Sequence, residues 1–327
     1  MRLASARALA AGVIACAFAA TAAAAQTVAF PTKRITIVVP AVAGGATDIV
    51  ARIISQNLTA ALGQGVVVEN RSGASGNIGA QSVVQAEPDG HTLLLAATNN
   101  LVVNQFIMAN VGHDPLTDLV PVAYVAEAPE LVAVHHAFPA ATIQEFVAAL
   151  KQKPGAYNYG TPGVGSVPHL SAERFLRVTG TKMTHVPFRG SAAAMTDVGM
   201  GAIQMSMATL GSVEPFRQAG TARILAVTAS RRLPALPDVP TLDESGYKGL
   251  EMANWWGVVA PKGTPRPVVE LLNAKLREIF STPANVAQLE RLGILGRSET
   301  IGYFEDFVRK EAEAWAAVVK DLGLDKR

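Results

Sequence analysis

The sequence predicts an α/β protein in which helices pack on parallel, doubly wound sheets. Apolar runs typical of strands recur roughly every thirty residues, and segments with helical spacing of apolar residues lie between them. Glycine-bearing turns connect several of these strands to the next helix. The chain has 327 residues, of which 50% are hydrophobic and 17% are charged, so it can bury one large core or two ordinary ones.

The first part of the chain alternates between strands and helices. The apolar run from Ile35 to Val39 is a predicted strand, and Thr47 to Leu62 is a predicted helix that Gly63 ends. Two more strands are predicted at VVVE and HTLLLAAT, with a helix at GNIGAQSVVQA between them. This alternation is typical of a sheet with crossover helices on its faces.

The second part continues the pattern. A capping box formed by Thr142 and Glu145 opens the predicted helix TIQEFVAALKQ. Strands are predicted at YNYG, MTHVPF, IQMSMAT and ILAVTAS, and helices at VVELLNAKLREIF and FEDFVRKEAEAWAAVVKDL. The last helix carries an apolar face that predicts packing on the body of the protein.

The N-terminus has the pattern of a secretory signal peptide. Arg2 and Arg7 precede the apolar run ALAAGVIACAFAATA, and small residues follow, so residues 1–25 are a predicted signal with cleavage after Ala25. The residues before Cys16 also resemble a lipoprotein box, and lipidation at Cys16 is the alternative. Both interpretations place the protein outside the cytoplasm, in the periplasm, and leave the exported body without a thiol.

The charge of the predicted mature chain excludes two classes of partner. Removing residues 1–25 takes away two arginines and no acid, so the net charge falls from +2 to zero, with 26 basic and 26 acidic residues. A neutral body has no electrostatic attraction to nucleic acid or to anionic membranes.

The turn PAVAGGATD, from Pro40 to Asp48, is a candidate anion site. It joins a predicted strand to a predicted helix, and a helix N-terminus attracts anions through its unpaired amides. Glycine at positions 44 and 45 allows a left-handed turn, which we expect at Gly45. The P-loop lysine and the Rossmann glycine spacing are both absent. A capped structural turn without a ligand remains the alternative on this segment alone.

A second loop of the same kind, GTPGVGSVPHL from Gly160 to Leu170, precedes another predicted helix. Ser166 is a candidate N-cap, Pro168 fits the first turn, and we expect a left-handed conformation at Gly165. Two such helix starts in different parts of the chain would suit a ligand with two carboxylates.

The ordered segments PAVAGGATDIVAR, LGQGVVVENRSGASGNIGA, GTPGVGSVPHLSAE, HVPFRGSAAAMTD, LAVTASRRLPALPDVPT and WWGVVAPKGTP resemble the Bug family. Its members are extracytoplasmic solute receptors of tripartite tricarboxylate transporters. The resemblance extends from about Phe30 to the C-terminus. It implies a two-lobed, type II periplasmic-binding-protein fold, each lobe a doubly wound sheet flanked by helices. It also implies a small organic acid bound in the interlobe cleft, no cofactor, and delivery to membrane permease subunits by a monomeric receptor.

The resemblance also implies which residues contact the ligand, largely through backbone amides. In the first lobe these are Val42, Ala43, Gly45, Thr47 and Asp48, with Thr98 and Asn100 after the strand HTLLLAAT. In the second lobe they are Thr161, Gly163, Val164, Gly165 and Ser166, together with Asp197 in the segment AAAMTD.

The strands PVAYVAEAPELVAV and ILAVTAS can cross between lobes. We therefore expect lobe 1 to comprise residues 26–125 and 229–327, and lobe 2 to be a single insertion at 126–228.

The first turn departs from the family pattern. Many relatives have V-P-F-A-P-G-G where this chain has alanine at positions 41 and 43 in place of Phe and the second Pro. The anion-binding amides are retained, but the rigidity of the turn and the adjoining volume differ. The identity of the ligand therefore cannot be copied from a relative, and aromatic acids, dicarboxylates, amino acids and tricarboxylates all remain open.

The remaining conspicuous side chains favour structural roles. The six histidines show no metal-binding spacing, so no metal site is expected, and His169 and His185 are expected to make structural hydrogen bonds. Ser166 lacks a nucleophile elbow. Core packing is favoured over a cleft wall for Trp255 and Trp256. The favoured function is a binding receptor, not an enzyme. The rival is a secreted α/β hydrolase or isomerase, which would need a Ser–His or His–Asp contact in the cleft.

Overall fold

The structure is a computed structural model that describes residues 30–324. The predicted signal peptide and Cys16 lie outside the described residues. The strands are β1 (Ile35–Val39), β2 (Val66–Asn70), β3 (Thr92–Ala97), β4 (Leu119–Pro129), β5 (Leu131–His135), β6 (Asn158–Thr161), β7 (Thr184–Pro187), β8 (Met205–Ala208), β9 (Ala222–Val227), β10 (Ala253–Pro261) and β11 (Leu295–Gly296).

The α-helices include every predicted helix and four others. They are α1 (Ala46–Leu62), α2 (Asn77–Val84), α3 (Asn104–Ile107), α4 (Ile143–Gln152), α5 (Val167–Thr179), α6 (Ser191–Met200), α7 (Leu210–Gln218), α8 (Arg266–Ser281), α9 (Pro283–Glu290) and α10 (Ile301–Leu322). Of these, α3, α6, α7 and α9 were not predicted. A short 3-10 turn (Ala74–Gly76) precedes α2, and a π-helical turn (Asn99–Val103) precedes α3. Among the helices in residues 30–324, none is both long and apolar enough to span a membrane.

The first sheet has six strands in the order β11-β4-β10-β3-β1-β2. Strands β2, β1 and β3 are parallel, as predicted, but β10 inserts antiparallel between β3 and β4. The sequence analysis did not predict β10 as a strand, and it could not have given its direction, because side-chain periodicity is the same in parallel and antiparallel strands.

The second sheet has five strands in the order β7-β6-β8-β5-β9. Strands β7, β6 and β8 are parallel, whereas β5 runs antiparallel to both β8 and β9. The two sheets with their flanking helices form the two lobes of the molecule.

The chain passes from the first sheet to the second at one residue. Strand β4 ends at Pro129 and β5 begins at Leu131, so the crossover lies at Glu130, inside the expected insertion that was to begin at Ala126. The return leaves β9 at Val227 and reaches the first sheet again at β10. The two crossovers are paired, since the Glu130 amide donates to Thr228 Oγ1 at 2.9 Å and the Thr228 amide donates to the Glu130 carbonyl at 2.9 Å.

This topology places the carboxyl ends of the parallel strands at the junction of the lobes. Strand β4 runs in the same direction as β1 and β3 and ends at the crossover. Strand β5 starts at the crossover and runs against β8, which is parallel to β6. The loops after β1, β3 and β6 therefore lead into the space between the sheets, where ligands bind in open α/β folds.

Two clusters cover the faces of the first sheet. One contains Trp256 and packs under α1 and α8, and the other contains Trp255 and packs under α2 and α10. Both indoles are almost fully buried, as expected for core residues. The capping box predicted at Thr142 and Glu145 is present in α4.

Candidate functional site

The first turn joins β1 to α1 and takes its shape from Gly44. Gly44 has a φ of +86°, whereas Gly45 has a φ of −82° and a ψ of 174°. The left-handed residue is therefore Gly44, and the expectation of a positive φ at Gly45 was wrong. Gly45 is the N-cap of α1 in an extended conformation that other residues can also adopt.

The Asp48 carboxylate is turned inward and stabilises this turn. It accepts hydrogen bonds from the Gly44 amide at 3.0 Å, from Arg52 Nε at 2.8 Å and from Asn70 Nδ2 at 3.0 Å. Burial raises the pKa of Asp48, but the hydrogen bonds from Arg52, Gly44 and Asn70 outweigh it and hold the pKa below its ordinary value. The side chain of Asp48 therefore braces the turn.

The amides at the start of α1 remain unsatisfied. Gly45 has no side chain, and the helix start has no side-chain cap. The amides of Ala46, Thr47 and Asp48 in the first turn have no intrahelical acceptors. The Thr47 hydroxyl is already engaged, because it accepts a hydrogen bond from Trp256 Nε1 at 2.8 Å. The first turn therefore offers backbone donors, and not side chains, to an anion.

The second loop joins β6 to α5 and satisfies most of its own donors. The Gly163 amide donates to Thr161 Oγ1 at 3.3 Å, and the Ser166 hydroxyl donates to the Gly163 carbonyl at 2.7 Å. Ser166 is the N-cap of α5 and accepts a long hydrogen bond, 3.4 Å, from the His169 amide. Gly165 has the expected positive φ, +77°, and its amide donates to His169 Nδ1 at 3.2 Å.

Two neutral histidines, His169 and His185, form hydrogen bonds that hold this loop in place. The rings of His169 and His185 lie 4.3 Å apart, and His185 Nε2 lies 2.6 Å from the buried hydroxyl of Thr161. Burial lowers the pKa of His169 to about 4, and burial together with the neighbouring His169 lowers the pKa of His185 to about 4. Both histidines make structural hydrogen bonds, as the sequence favoured.

Few donors remain in the second loop. The amides of Gly163, Gly165 and Ser166 all have acceptors. Pro168 has no amide hydrogen, so Val164 and Val167 supply the remaining backbone donors. The two helix starts therefore differ in how many amides they can offer.

The loops after β3 and β6 contact each other across the lobes. Asn99 Nδ2 donates to the Gly165 carbonyl at 2.8 Å, and a Cβ added at Gly165 would lie 2.1 Å from Cδ1 of Ile107. Val167 and Leu170 of α5 pack into the first-lobe cluster that contains Trp255. The second loop is thus seated on the first lobe.

Thr98 and Asn100 lie beside this contact, but both side chains are buried and bonded within the protein. The Trp255 amide donates to Thr98 Oγ1 at 2.9 Å, and the Ala97 amide donates to Asn100 Oδ1 at 3.1 Å. Thr98 Oγ1 and Asn100 Oδ1 are therefore engaged within the first lobe.

Two apolar side chains are exposed at the tips of the loops. Val42 is 69% exposed in the first turn and Val164 is 52% exposed in the second loop. Ala43 is also exposed. Both loop tips therefore present apolar side chains to solvent.

Asp197 lies apart from these loops in sequence and in secondary structure. It is half-buried in α6, six residues after the helix begins at Ser191, which corresponds to roughly 9 Å along the helix axis. Within residues 30–324, no group of three or more His, Cys, Asp or Glu residues could hold a metal ion.

Three residues that the sequence did not single out hold the site together: Arg52, Asn70 and Asn99. Only Arg52 had a local signal, since it lies four residues after Asp48 on the same helical face. The partners of the others depend on the tertiary fold.

A family model described as tripartite tricarboxylate transporter family receptor matches residues 50–324. The chain belongs to this family. Among curated relatives, it is 32% identical to protein BugT of Bordetella pertussis over 90% of each chain. It is also 37% identical to a protein from the tcbD–tcbE intergenic region of Pseudomonas sp. strain P51, over 91% of this chain and 88% of that one.

Solved structures of the receptor family have the same two-lobed fold. The R. palustris protein Rpa4515 with adipate has a TM-score of 0.86 at 34% identity, covering 91% of this chain and 100% of the other. MatC from Rhodopseudomonas palustris with bound malate has a TM-score of 0.79 at 31% identity, covering 89% and 100%. The periplasmic binding protein BugD has a TM-score of 0.81 at 32% identity, covering 91% and 100%. These relatives are binding proteins rather than enzymes.

Proposed function

We propose that this receptor captures a small organic acid between its lobes and delivers it to the permease subunits of a tripartite transporter. The observation that carries the proposal is the bare start of α1. A 17-residue helix begins there at a glycine with no side-chain cap, and its first amides have no acceptor. The partial positive charge of such a helix start stabilises a carboxylate.

The nearby Asp48 carboxylate does not cancel this site. Its charge is balanced by Arg52 and is turned toward Gly44, so the first-turn amides stay available to a ligand. Two structural relatives contain the dicarboxylates adipate and malate. Dicarboxylates of similar length are therefore the first ligands to test.

The proposed contact set modifies the one that the sequence suggested. The amides of Ala46 and Val167 are added, and Gly45 and Thr161 are given structural roles in the loops. Ala46 and Thr47 amides would bind one carboxylate, and Val42, Ala43 and Val164 would contact the carbon skeleton. The Val164 and Val167 amides would meet a second polar group. Gly163, Gly165, Ser166, Thr98, Asn100 and Asp48 would hold the loops in place, and Asp197 remains a candidate contact from α6.

We further propose lobes bounded by the two crossovers, with residues 131–227 as the inserted second lobe. Closure would then be a hinge motion about Glu130 and Thr228, favoured only when a ligand touches both lobes.

An enzymatic role would need a hydroxyl–imidazole contact that a substrate can reach. The contact found near the loops, between Thr161 and His185, does not meet this requirement. Thr161 and His185 are 2.6 Å apart, but Thr161 is fully buried and cannot reach a substrate. His185 also has no carboxylate hydrogen-bonded to its second nitrogen within the described residues, as a catalytic triad would require.

Export as a monomeric periplasmic receptor, with a mature chain beginning near Gln26, completes the proposal. Intact-mass measurement of the protein from the periplasm tests this part. A diacylated product beginning at Cys16 would show that the protein is a lipoprotein instead.

The binding experiment is calorimetry with malate, adipate, citrate, benzoate and glutamate, followed by thermal unfolding. A ligand present at a hundred times its dissociation constant should stabilise the folded state by about 2.7 kcal/mol. Release of a chemically altered product from any of these acids would contradict the receptor role. Failure of all five to bind, with the protein folded, would contradict the proposed ligand class.

A further inference from the structure

A cavity of about 470 Å³ lies beside the crossovers, on the face of the first sheet that α10 covers. Its walls come from both lobes. The second lobe contributes Arg174 of α5, the first lobe contributes Trp255 of β10 and Trp315 of α10, and Arg231 lies just after β9. None of the residues that we assign to the cleft lines this cavity.

One wall of the cavity is aromatic and apolar. Trp255 and Phe307 pack edge to face with their ring centroids 5.3 Å apart, and Trp315 and Val318 extend the same surface along α10. A cavity of this size with aromatic walls and a few polar groups has the composition of a small-molecule site.

Two of the acids in the wall are already used within the protein. Glu127 accepts a hydrogen bond from Tyr124 and forms an ion pair with Arg297. Glu311 accepts from Trp255 Nε1 at 2.7 Å and from Trp315 Nε1 at 3.0 Å. These bonds fix the two indoles in the wall.

Two arginines in the wall have no ionic partner in the described part of the chain. Arg174 and Arg231 line the cavity and neither forms an ion pair with any residue in the range 30–324. Arg297 adds a buried Nε without an acceptor among the same residues. The lining also contains Glu251, which is exposed at the edge, and Glu311, which is bonded to the two indoles, so its three arginines and three glutamates balance in formal charge. Arg174 and Arg231 are nevertheless the two lining guanidinium groups without an ionic partner among the described residues.

We propose that this cavity is a second binding site, separate from the cleft, for an organic anion with one carboxylate and an apolar chain or ring. The carboxylate binds Arg174 and Arg231, and the apolar part packs on Trp255, Phe307 and Trp315. Guanidinium groups suit this role because they bind carboxylates with paired hydrogen bonds. Because Arg174 and Trp255 belong to different lobes, occupancy also stabilises the lobe arrangement seen here and couples to cleft binding.

The test titrates hexanoate and benzoate into the full-length protein and follows tryptophan fluorescence. Of the three tryptophans in the chain, Trp255 and Trp315 line the cavity. The titration is made on wild type and on Gly45→Val, in which the cleft is obstructed. We expect saturable binding of at least one of the two acids in both samples.

Two variants decide whether the cavity is the site. The double variant Arg174→Gln with Arg231→Gln should weaken the binding of hexanoate or benzoate at least tenfold, or about 1.4 kcal/mol. Ala314→Phe, on an exposed lining position of α10, should fill the cavity and abolish binding. The matched control, Arg34→Gln with Arg291→Gln, removes two exposed charges elsewhere and should leave binding unchanged.

The proposal is overturned if neither acid binds, or if binding persists unchanged in the arginine pair or in Ala314→Phe. Its failure is distinct from failure of the cleft proposal, because Gly45→Val affects only the latter.

Discussion

The helix starts of α1 and α5 look alike in sequence and differ in the structure. Both follow a strand and a glycine-bearing loop, and both begin at the junction of the lobes. The α1 start has a glycine N-cap and unsatisfied amides, whereas the α5 start has a serine N-cap and a loop whose amides mostly have acceptors.

This difference indicates that the two lobes contribute to ligand binding in different ways. The unpaired amides of a helix start can donate hydrogen bonds to a carboxylate without first breaking bonds within the protein. A loop that has satisfied its own donors gains less from an anion but keeps a fixed shape. We therefore expect the first lobe to supply most of the binding free energy and the second lobe to supply the shape that closes over the ligand.

The largest effect should come from Gly45→Val. A Cβ at Gly45 would meet nothing closer than the Val42 carbonyl at 3.9 Å, and the φ of −82° is open to valine. The protein should therefore fold normally, while the isopropyl group occupies the space in front of the α1 amides. Calorimetry should show a loss of affinity of at least about a hundredfold, or 2.7 kcal/mol.

Gly65→Val is the matched control, because Gly65 is also open to a side chain but lies away from the cleft. Full affinity in Gly45→Val would mean that the α1 start is only a structural turn.

The sequence predicts the strands and helices around the two helix starts, but it does not predict how the two starts differ. The β-branched run Ile35 to Val39 is bounded by Arg34 and Pro40, so the predicted strand has the observed bounds. The glycine pair marked the turn, yet only the fold shows that Gly44 carries the positive φ because Asp48 accepts its amide.

Long-range contacts account for what the sequence could not predict in the second loop. The sequence predicted that His169 makes a structural hydrogen bond. Its partner, the Gly165 amide, could not be predicted, because the bond forms only when the loop folds back over the start of α5. The bond from Asn99 to Gly165 joins residues 66 positions apart, and no local pattern distinguishes Asn99 from Asn100. The antiparallel insertion of β10 is a long-range pairing of the same kind.

The second-largest effect should come from Gly165→Ala. The added methyl would lie 2.1 Å from Cδ1 of Ile107, and the φ of +77° strains alanine. We expect the loop to shift and break its bonds to Asn99 and His169, with a loss of affinity of about ten- to thirtyfold that is smaller than that of Gly45→Val.

Gly155→Ala is the control for backbone strain, since Gly155 has a φ of +76° and open space around it in a remote turn. If Gly165→Ala costs more affinity than Gly45→Val, the second lobe supplies the dominant contact and our assignment is reversed.

Lowering the pH of the wild-type protein should affect the loop before α5 but not the turn before α1. The pKa values of His169 and His185 are about 4 in the folded protein, below the unfolded value of about 6.5. The unfolded chain therefore binds more protons between these values, and this contribution to stability is complete above about pH 6.5 and is lost as the pH falls through about 4.

Protonated His169 cannot accept the Gly165 amide, so the second loop should loosen near pH 4. The first turn should persist, because the pKa of Asp48 lies below its ordinary range. Amide chemical shifts measured by NMR on the ligand-free protein check this, with Gly165 moving and Gly44 unchanged. Simultaneous movement of both would show that acid acts on the whole fold and not on one loop.

The smallest effect should come from Ser166→Ala, which removes the side-chain cap of α5 and leaves every backbone amide in place. The hydroxyl donates a good hydrogen bond to the Gly163 carbonyl at 2.7 Å, but its cap bond to the His169 amide is long at 3.4 Å. Loss of such a cap costs about 0.5–2 kcal/mol of stability. Because the Asn99 and His169 bonds still hold Gly165, the loop should keep its shape, and affinity should fall only about three- to tenfold, or 0.7–1.4 kcal/mol. Thermal unfolding and calorimetry on the same preparation measure the loss of stability and the loss of affinity separately.

Thr300→Ala is the matched control, since Thr300 caps α10 in the same way without touching the cleft. A loss of binding in Ser166→Ala as complete as in Gly45→Val would make the Ser166 hydroxyl a direct ligand contact, and the two helix starts would then have equal roles.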